Sequence, residues 1–180
     1  FQSKCQGYSH IKSDLECQDS TLVKKTEKYA IAVVADGHGS ASYFRSSRGS
    51  LFATEAAITA IEELLETILS DKSNMDDFCA SIDKHLIQLE RSVIARWHER
   101  VEDDYSKNPF LDSEILKVDE KHKEKYLKGE RIEAAYGSTL IAVACTDAFW
   151  FGIHIGDGKC ITCDYSGNFA EPIPWDEKCF

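Results

Sequence analysis

A chain of 180 residues, 43% hydrophobic and 29% charged, is long enough for one domain with a sizeable core. Its net charge of −10 argues against nucleic acid or an anionic membrane surface as the main partner. No apolar stretch approaches the roughly 18 residues of a membrane span and no signal peptide is visible, so a cytoplasmic protein is expected. The seven cysteines, odd in number and scattered, fit buried free thiols in a reducing compartment better than a disulfide framework. The chain opens on Phe1 rather than Met, which leaves room for an upstream segment.

Residues 5–19 are polar with little periodicity and predict an edge strand followed by a loop; alone, Asp19 reads as a turn or cap residue. A short β segment at 21–23 leads through the charged turn 24–28 to the apolar run 30–35, predicted as a strand buried on both faces. The run ends in Asp36-Gly37-His38-Gly39, where the glycines permit a sharp turn. A carboxylate beside an exposed glycine carbonyl offers two oxygen ligands to a hard cation such as Mg²⁺ or Mn²⁺, against the plainer alternative of an Asp-Gly turn between strands.

The period then changes. Leu51, Ile58, Ile61, Leu65 and Ile68 form one helical stripe, with Ser40 or Ser42 available as cap. Phe78, Ile82, Leu86, Leu89, Val93 and Trp97 form a second, with Asp76 and Asp77 in its first turn. The two helices are expected to lie antiparallel on a sheet. Arg45 and Arg48 could meet an anionic substrate, although an internal ion pair or a solvated face is the stronger reading. Residues 98–133 are charged and weakly periodic, an insertion that is partly helical. From Gly137 the pattern returns to β in the runs 139–145, 148–155 and 159–164, an antiparallel meander. Cys160 and Cys163 form an isolated C-x-x-C that reads as core cysteines rather than a zinc or redox motif.

Gln18-Asp19, the strand closing in Asp36-Gly37-His38-Gly39, two long helices, Tyr136-Gly137-Ser138-Thr139-Leu140 and Ile155-Gly156-Asp157-Gly158-Lys159 follow in an order and spacing that resemble the metal-dependent protein phosphatases of the phosphatase 2C (PPM) type. The resemblance covers the whole chain. It implies an α+β fold, an antiparallel β-sandwich flanked by helices in four layers (α-β-β-α). It implies that Asp36 bridges two Mn²⁺ or Mg²⁺ ions, that Gly37 adds its carbonyl, that Asp19 holds a metal or its water, and that Asp157 completes an optional third site. Water activated between the ions would attack a phosphoserine or phosphothreonine, and His38 would protonate the leaving alkoxide, a role an imidazole can fill near neutral pH.

The sequence departs from the family pattern in three places. Gln18 stands where many members have Glu, and Asp14 where many have a phosphate-binding Arg, which leaves His10 or Lys12 to meet the phosphate. The two further metal carboxylates expected well beyond the Gly-Asp turn do not occur before Phe180. The expected organisation is therefore a partial catalytic domain, with core strands and two helices over 1–97, the insertion over 98–133 and the meander over 137–180. Such a piece is expected to bind at most one ion weakly near Asp36 and to self-associate through uncovered apolar surface. Its partner would be a phosphoprotein substrate. The alternative is a pseudophosphatase, the fold retained as a binding or regulatory module.

Overall fold

The computed structural model describes residues 2–12 and 16–173, apart from the side chain of Ser9; Asp14 lies outside them. Four strands form one antiparallel sheet in the order β1 (Ser20–Lys25), β2 (Tyr29–Ala35), β3 (Leu140–Thr146) and β4 (Trp150–Ile155). Leu22, Val33, Ala142 and Ile153 stand in one row across the sheet, and Thr21, Val34, Ile141 and His154 in a row of the opposite face. Successive strand side chains point to opposite faces. In β2, Tyr29, Ile31, Val33 and Ala35 are buried while Ala30, Ala32 and Val34 are exposed. This corrects the expectation of a strand buried on both faces: an unbroken apolar run cannot say which face is covered, and helices cover only one.

The covering helix is α2 (Ser46–Ile68). Its buried stripe is rich in alanine, with Ala53, Ala56, Ala57 and Ala60 beside Ile61, Leu65 and Ile68. Small residues let its axis lie close to β1 and β2, and Leu51, expected in the stripe, is exposed. Neither Ser40 nor Ser42 caps it, because a 3-10 turn over Ala41–Tyr43 intervenes. The second stripe is broken at Ser81 into α3 (Lys72–Ala80) and α4 (Ile82–Lys107). Asp71 caps α3 by accepting the Asn74 N–H at 2.9 Å, so Asp76 and Asp77 fall inside α3 rather than in the first turn of the long helix. That helix runs past Trp97 to Lys107.

Three short helices, α5 (Asp112–Ile115), α6 (Glu120–Leu127) and α7 (Ile132–Ala135), follow and build a second apolar cluster from Val101, Ile115, Val118, Tyr126 and Tyr136. Arg45 is buried against this cluster. It donates to both carboxylate oxygens of Glu114 at 2.9 Å, to the Tyr136 hydroxyl at 2.8 Å and to the carbonyls of Asn108 and Pro109. Its guanidinium also lies 4.8 Å from the centre of the Phe110 ring. The internal reading of Arg45 therefore holds; the half-exposed Arg48 pairs with Asp104 at 3.0 Å.

The segment at the N-terminus is helical over Tyr8–Lys12 (α1), where an edge strand was expected. The third run of the meander leaves the sheet: Thr162–Cys163 (β5) pairs instead with Phe169–Ala170 (β6). Asp164 closes this hairpin by accepting the N–H groups of Ser166 and Asn168, which favours a local pair over a fifth strand. The described cysteines are free, but Cys5, Cys79, Cys145 and Cys163 are exposed, not core. Cys145 sits on the open sheet face, aligned with Ala30 and Trp150. Among the described residues no helix is long and apolar enough to cross a membrane.

Candidate metal centre

The strand β2 delivers Asp36 to the end of the sheet, where a net of hydrogen bonds fixes its backbone. Its carbonyl accepts from the Thr139 N–H at 2.8 Å and from the Ser138 hydroxyl at 3.1 Å. The His38 N–H donates to the Gly137 carbonyl at 3.1 Å, and the Gly37 N–H to the Gln18 carbonyl at 3.2 Å. Gly37 is required by space: a Cβ there would stand 2.6 Å from the Gln18 carbonyl oxygen and 2.7 Å from that of Ser46. None of the backbone hydrogen bonds among the described residues ends on the Gly37 carbonyl.

Gln18 is tied to the turn through its amide nitrogen. Its amide donates to the His38 carbonyl at 3.1 Å and to the Ser46 hydroxyl at 2.8 Å, and that hydroxyl donates to the same carbonyl at 2.9 Å. A glutamate here would lose both donated bonds, which gives the departure from the family pattern a structural reason. Sequence reasoning missed Ser46, because 28 residues separate it from Gln18 and only the packing of α2 against the turn brings them together.

The acids converge. Burial pushes the Asp36 carboxyl above its ordinary value of 3.8, and the Asp19 carboxyl, within hydrogen-bonding reach, raises it further by proton sharing and by charge. Asp157, on the turn that leaves β4, adds in the same direction, while His38 opposes. That turn needs glycine at Gly156, whose φ is +96°. Asp19 also receives the Cys17 thiol at 4.0 Å and offers its carbonyl to Lys4 at 3.4 Å. The structure thus brings Asp19, Asp36, Asp157 and His38 into one electrostatic neighbourhood. Adjacent carboxylates and an available carbonyl are donors that fit a hard divalent cation. Among the described residues, no group of three His, Cys, Asp or Glu side chains is drawn tightly enough to enclose one.

His10 and Lys12 lie on α1, half-buried and exposed, and among the described residues no hydrogen bond or ion pair joins them to Asp19, Asp36 or His38. On the other side of His38, whose ring meets Tyr43 edge-on at 4.6 Å, a cavity of about 490 Å³ opens between α2, α4, α7 and the start of β3. Nothing in the sequence signalled it, because its wall comes from five separate segments.

No curated protein matches the sequence. Among solved structures, the chain is similar to the crystal structure of RsbX in complex with magnesium, with 16% sequence identity and a TM-score of 0.40 over 89% of this chain. It spans 53% of that chain, little more than half its length. The family described as protein phosphatase 2C matches residues 6–178, nearly the whole sequence. The chain therefore belongs to the protein phosphatase 2C family.

Proposed function

We propose that this chain supplies part of the active site of a metal-dependent phosphatase acting on phosphoserine and phosphothreonine in proteins of the cytoplasm. The observation that carries this reading is the convergence of Asp19 and Asp36 at the end of β2, where burial and the Asp19 carboxylate make Asp36 costlier to ionise. Such a pair wants a cation. In this reading Asp36 and Asp19 ligate Mn²⁺ or Mg²⁺ through their carboxylates, Gly37 through its carbonyl, and Asp157 stands at the margin for a further ion. A bound cation of this kind activates water for attack at phosphorus.

The protein's own residues do the rest. His38 stands within electrostatic reach of Asp36, and its backbone is held by the Gly137 carbonyl on one side and by Gln18 and Ser46 on the other. Its imidazolium would give a proton to the departing serine or threonine alkoxide, returning a neutral hydroxyl to the protein substrate. His10 and Lys12 are the cationic candidates for the phosphate oxygens.

Calorimetric titration with Mn²⁺, with hydrolysis of p-nitrophenyl phosphate measured alongside, tests this reading. The 180 residues are expected to bind at most one ion weakly and Asp36→Asn to remove that binding, with Mn²⁺-dependent turnover in the whole protein that carries the chain. Unchanged Mn²⁺ binding by Asp36→Asn overturns it. A second reading, a pseudophosphatase that keeps the fold for binding, is favoured by Gln18, whose amide is committed to the turn, and by the absence of a closed three-ligand group among the described residues. Cation binding without turnover in the whole protein would select it.

A further inference from the structure

We propose that the cavity between α4, α7 and the start of β3 holds a bulky apolar side chain that neighbours the phosphorylated residue of the substrate. The inference rests on the phosphatase reading above. Val93, Ile94, Trp97 and Leu140 give the wall an apolar side. Trp97 is fixed in place because its indole N–H donates to the Gly49 carbonyl at 3.0 Å. A volume of about 490 Å³ lies within the range of roughly 300–1,000 Å³ typical of ligand pockets, with ample room for a leucine or phenylalanine side chain.

What identifies the occupant is the rim. His38, Gly137 and Ser138 line the cavity and also form the hydrogen-bonded turn that holds Asp36. A phosphate at Asp19 and Asp36, with its alkoxide at His38, places the next residue of the peptide against that rim. The charges agree with an apolar guest. An anionic side chain would meet Glu133 in the wall and lie near Asp36, which the same turn holds, and Arg131 in the wall is engaged by the His122 ring at 3.2 Å and by the face of Tyr126. Burial of one large apolar side chain supports about tenfold or more in affinity.

The test uses four serine peptides of equal length, without phosphate, that carry Leu or Ser immediately before or after the central serine. They are titrated calorimetrically into the metal-free chain. One Leu peptide is expected to bind about tenfold or more tighter than its Ser counterpart. Ile94→Trp and Ala134→Phe, which fill the cavity from α4 and from α7, are expected to remove the difference. Trp97 emission, isolated by Trp150→Phe and Trp175→Phe, is expected to shift to the blue with that peptide alone, a readout that needs no cavity-filling variant. Equal affinities, a preference that survives both folded variants, or unchanged Trp97 emission with the Leu peptide bound overturns the assignment. If the preference appears but the whole protein hydrolyses neither phosphoserine peptides nor an aryl phosphate with Mn²⁺, the cavity is an apolar peptide pocket, and the phosphatase reading fails together with the assignment of the occupant to a phosphorylated substrate.

Discussion

Asp36 sits in conflict with its surroundings. Burial and the neighbouring Asp19 hold its folded-state pKa above the ordinary 3.8. A carboxyl raised on folding costs stability wherever it is ionised in both states. That cost is present above the folded-state pKa, shrinks as the pH falls through it, and is gone below 3.8. The metal-free Asp36→Asn chain is therefore expected to melt higher than the wild type at pH 7, with the gap closing by about pH 4 in calorimetric scans. A lower melting temperature at pH 7 would mean that the two acids do not repel. In the whole protein, the same change should lower Mn²⁺-dependent hydrolysis by more than about tenfold, or ~1.4 kcal/mol of barrier. His38→Ala should slow hydrolysis of a phosphoserine peptide more than that of p-nitrophenyl phosphate, since nitrophenolate leaves without a proton. Equal losses on the two substrates would assign the imidazole a structural role.

At the scale of elements, Arg45 fastens the insertion to the base of α2. Burial works against ionising Asp104 and Glu114, yet hydrogen bonds from Tyr136 and Arg48 to the first, and from Arg45 to the second, hold both below their ordinary values of 3.8 and 4.5. Their contribution is fully present above those ordinary values and is lost as the pH falls through the lower folded-state ones. Arg45→Met leaves Glu114 without its partner in a largely dry site and should cost about 3–5 kcal/mol in urea unfolding. Lys should rescue little of it, because an ammonium cannot make the paired bonds to Glu114. The acid sensitivity of stability below about pH 4 should be flatter in Arg45→Met than in the wild type. Gly49 belongs to the same joint: a Cβ there would stand 1.7 Å from the Tyr136 carbonyl oxygen. Gly49→Ala must therefore push α2 off the turn that carries Ser138 and Thr139.

Among the described residues the sheet is largely one-sided. Helices cover one face of the sheet, and the other shows Val34 at 48% and Trp150 at 47% exposure, with Ala30, Ala32 and Val23 between them. Contiguous apolar surface of this kind drives association. Light scattering at rising concentration is expected to show self-association, reduced by Val34→Lys, which adds a charge to the open face without touching the helical side. A monodisperse wild-type monomer at high concentration would contradict this.

The sequence by itself determined the central strands, the apolar stripes of the helices that follow them and the positions of the candidate acids. Alternation and helical periodicity are local properties, and the motifs around Asp19, Asp36 and Asp157 are short enough to be read along the chain. Their convergence was legible only through the resemblance to a family. Tertiary structure decided the rest. Whether Ala30, Ala32 and Val34 are covered depends on which face α2 occupies, and an apolar strand looks the same in either case. That Gln18 braces the His38 carbonyl with Ser46, and that Arg45 is buried among Glu114, Asp104 and Tyr136, depends on contacts between residues 20 to 91 positions apart. Such contacts form because packing a helix against a sheet leaves buried polar groups that must find partners, and the nearest partners in space are remote in sequence.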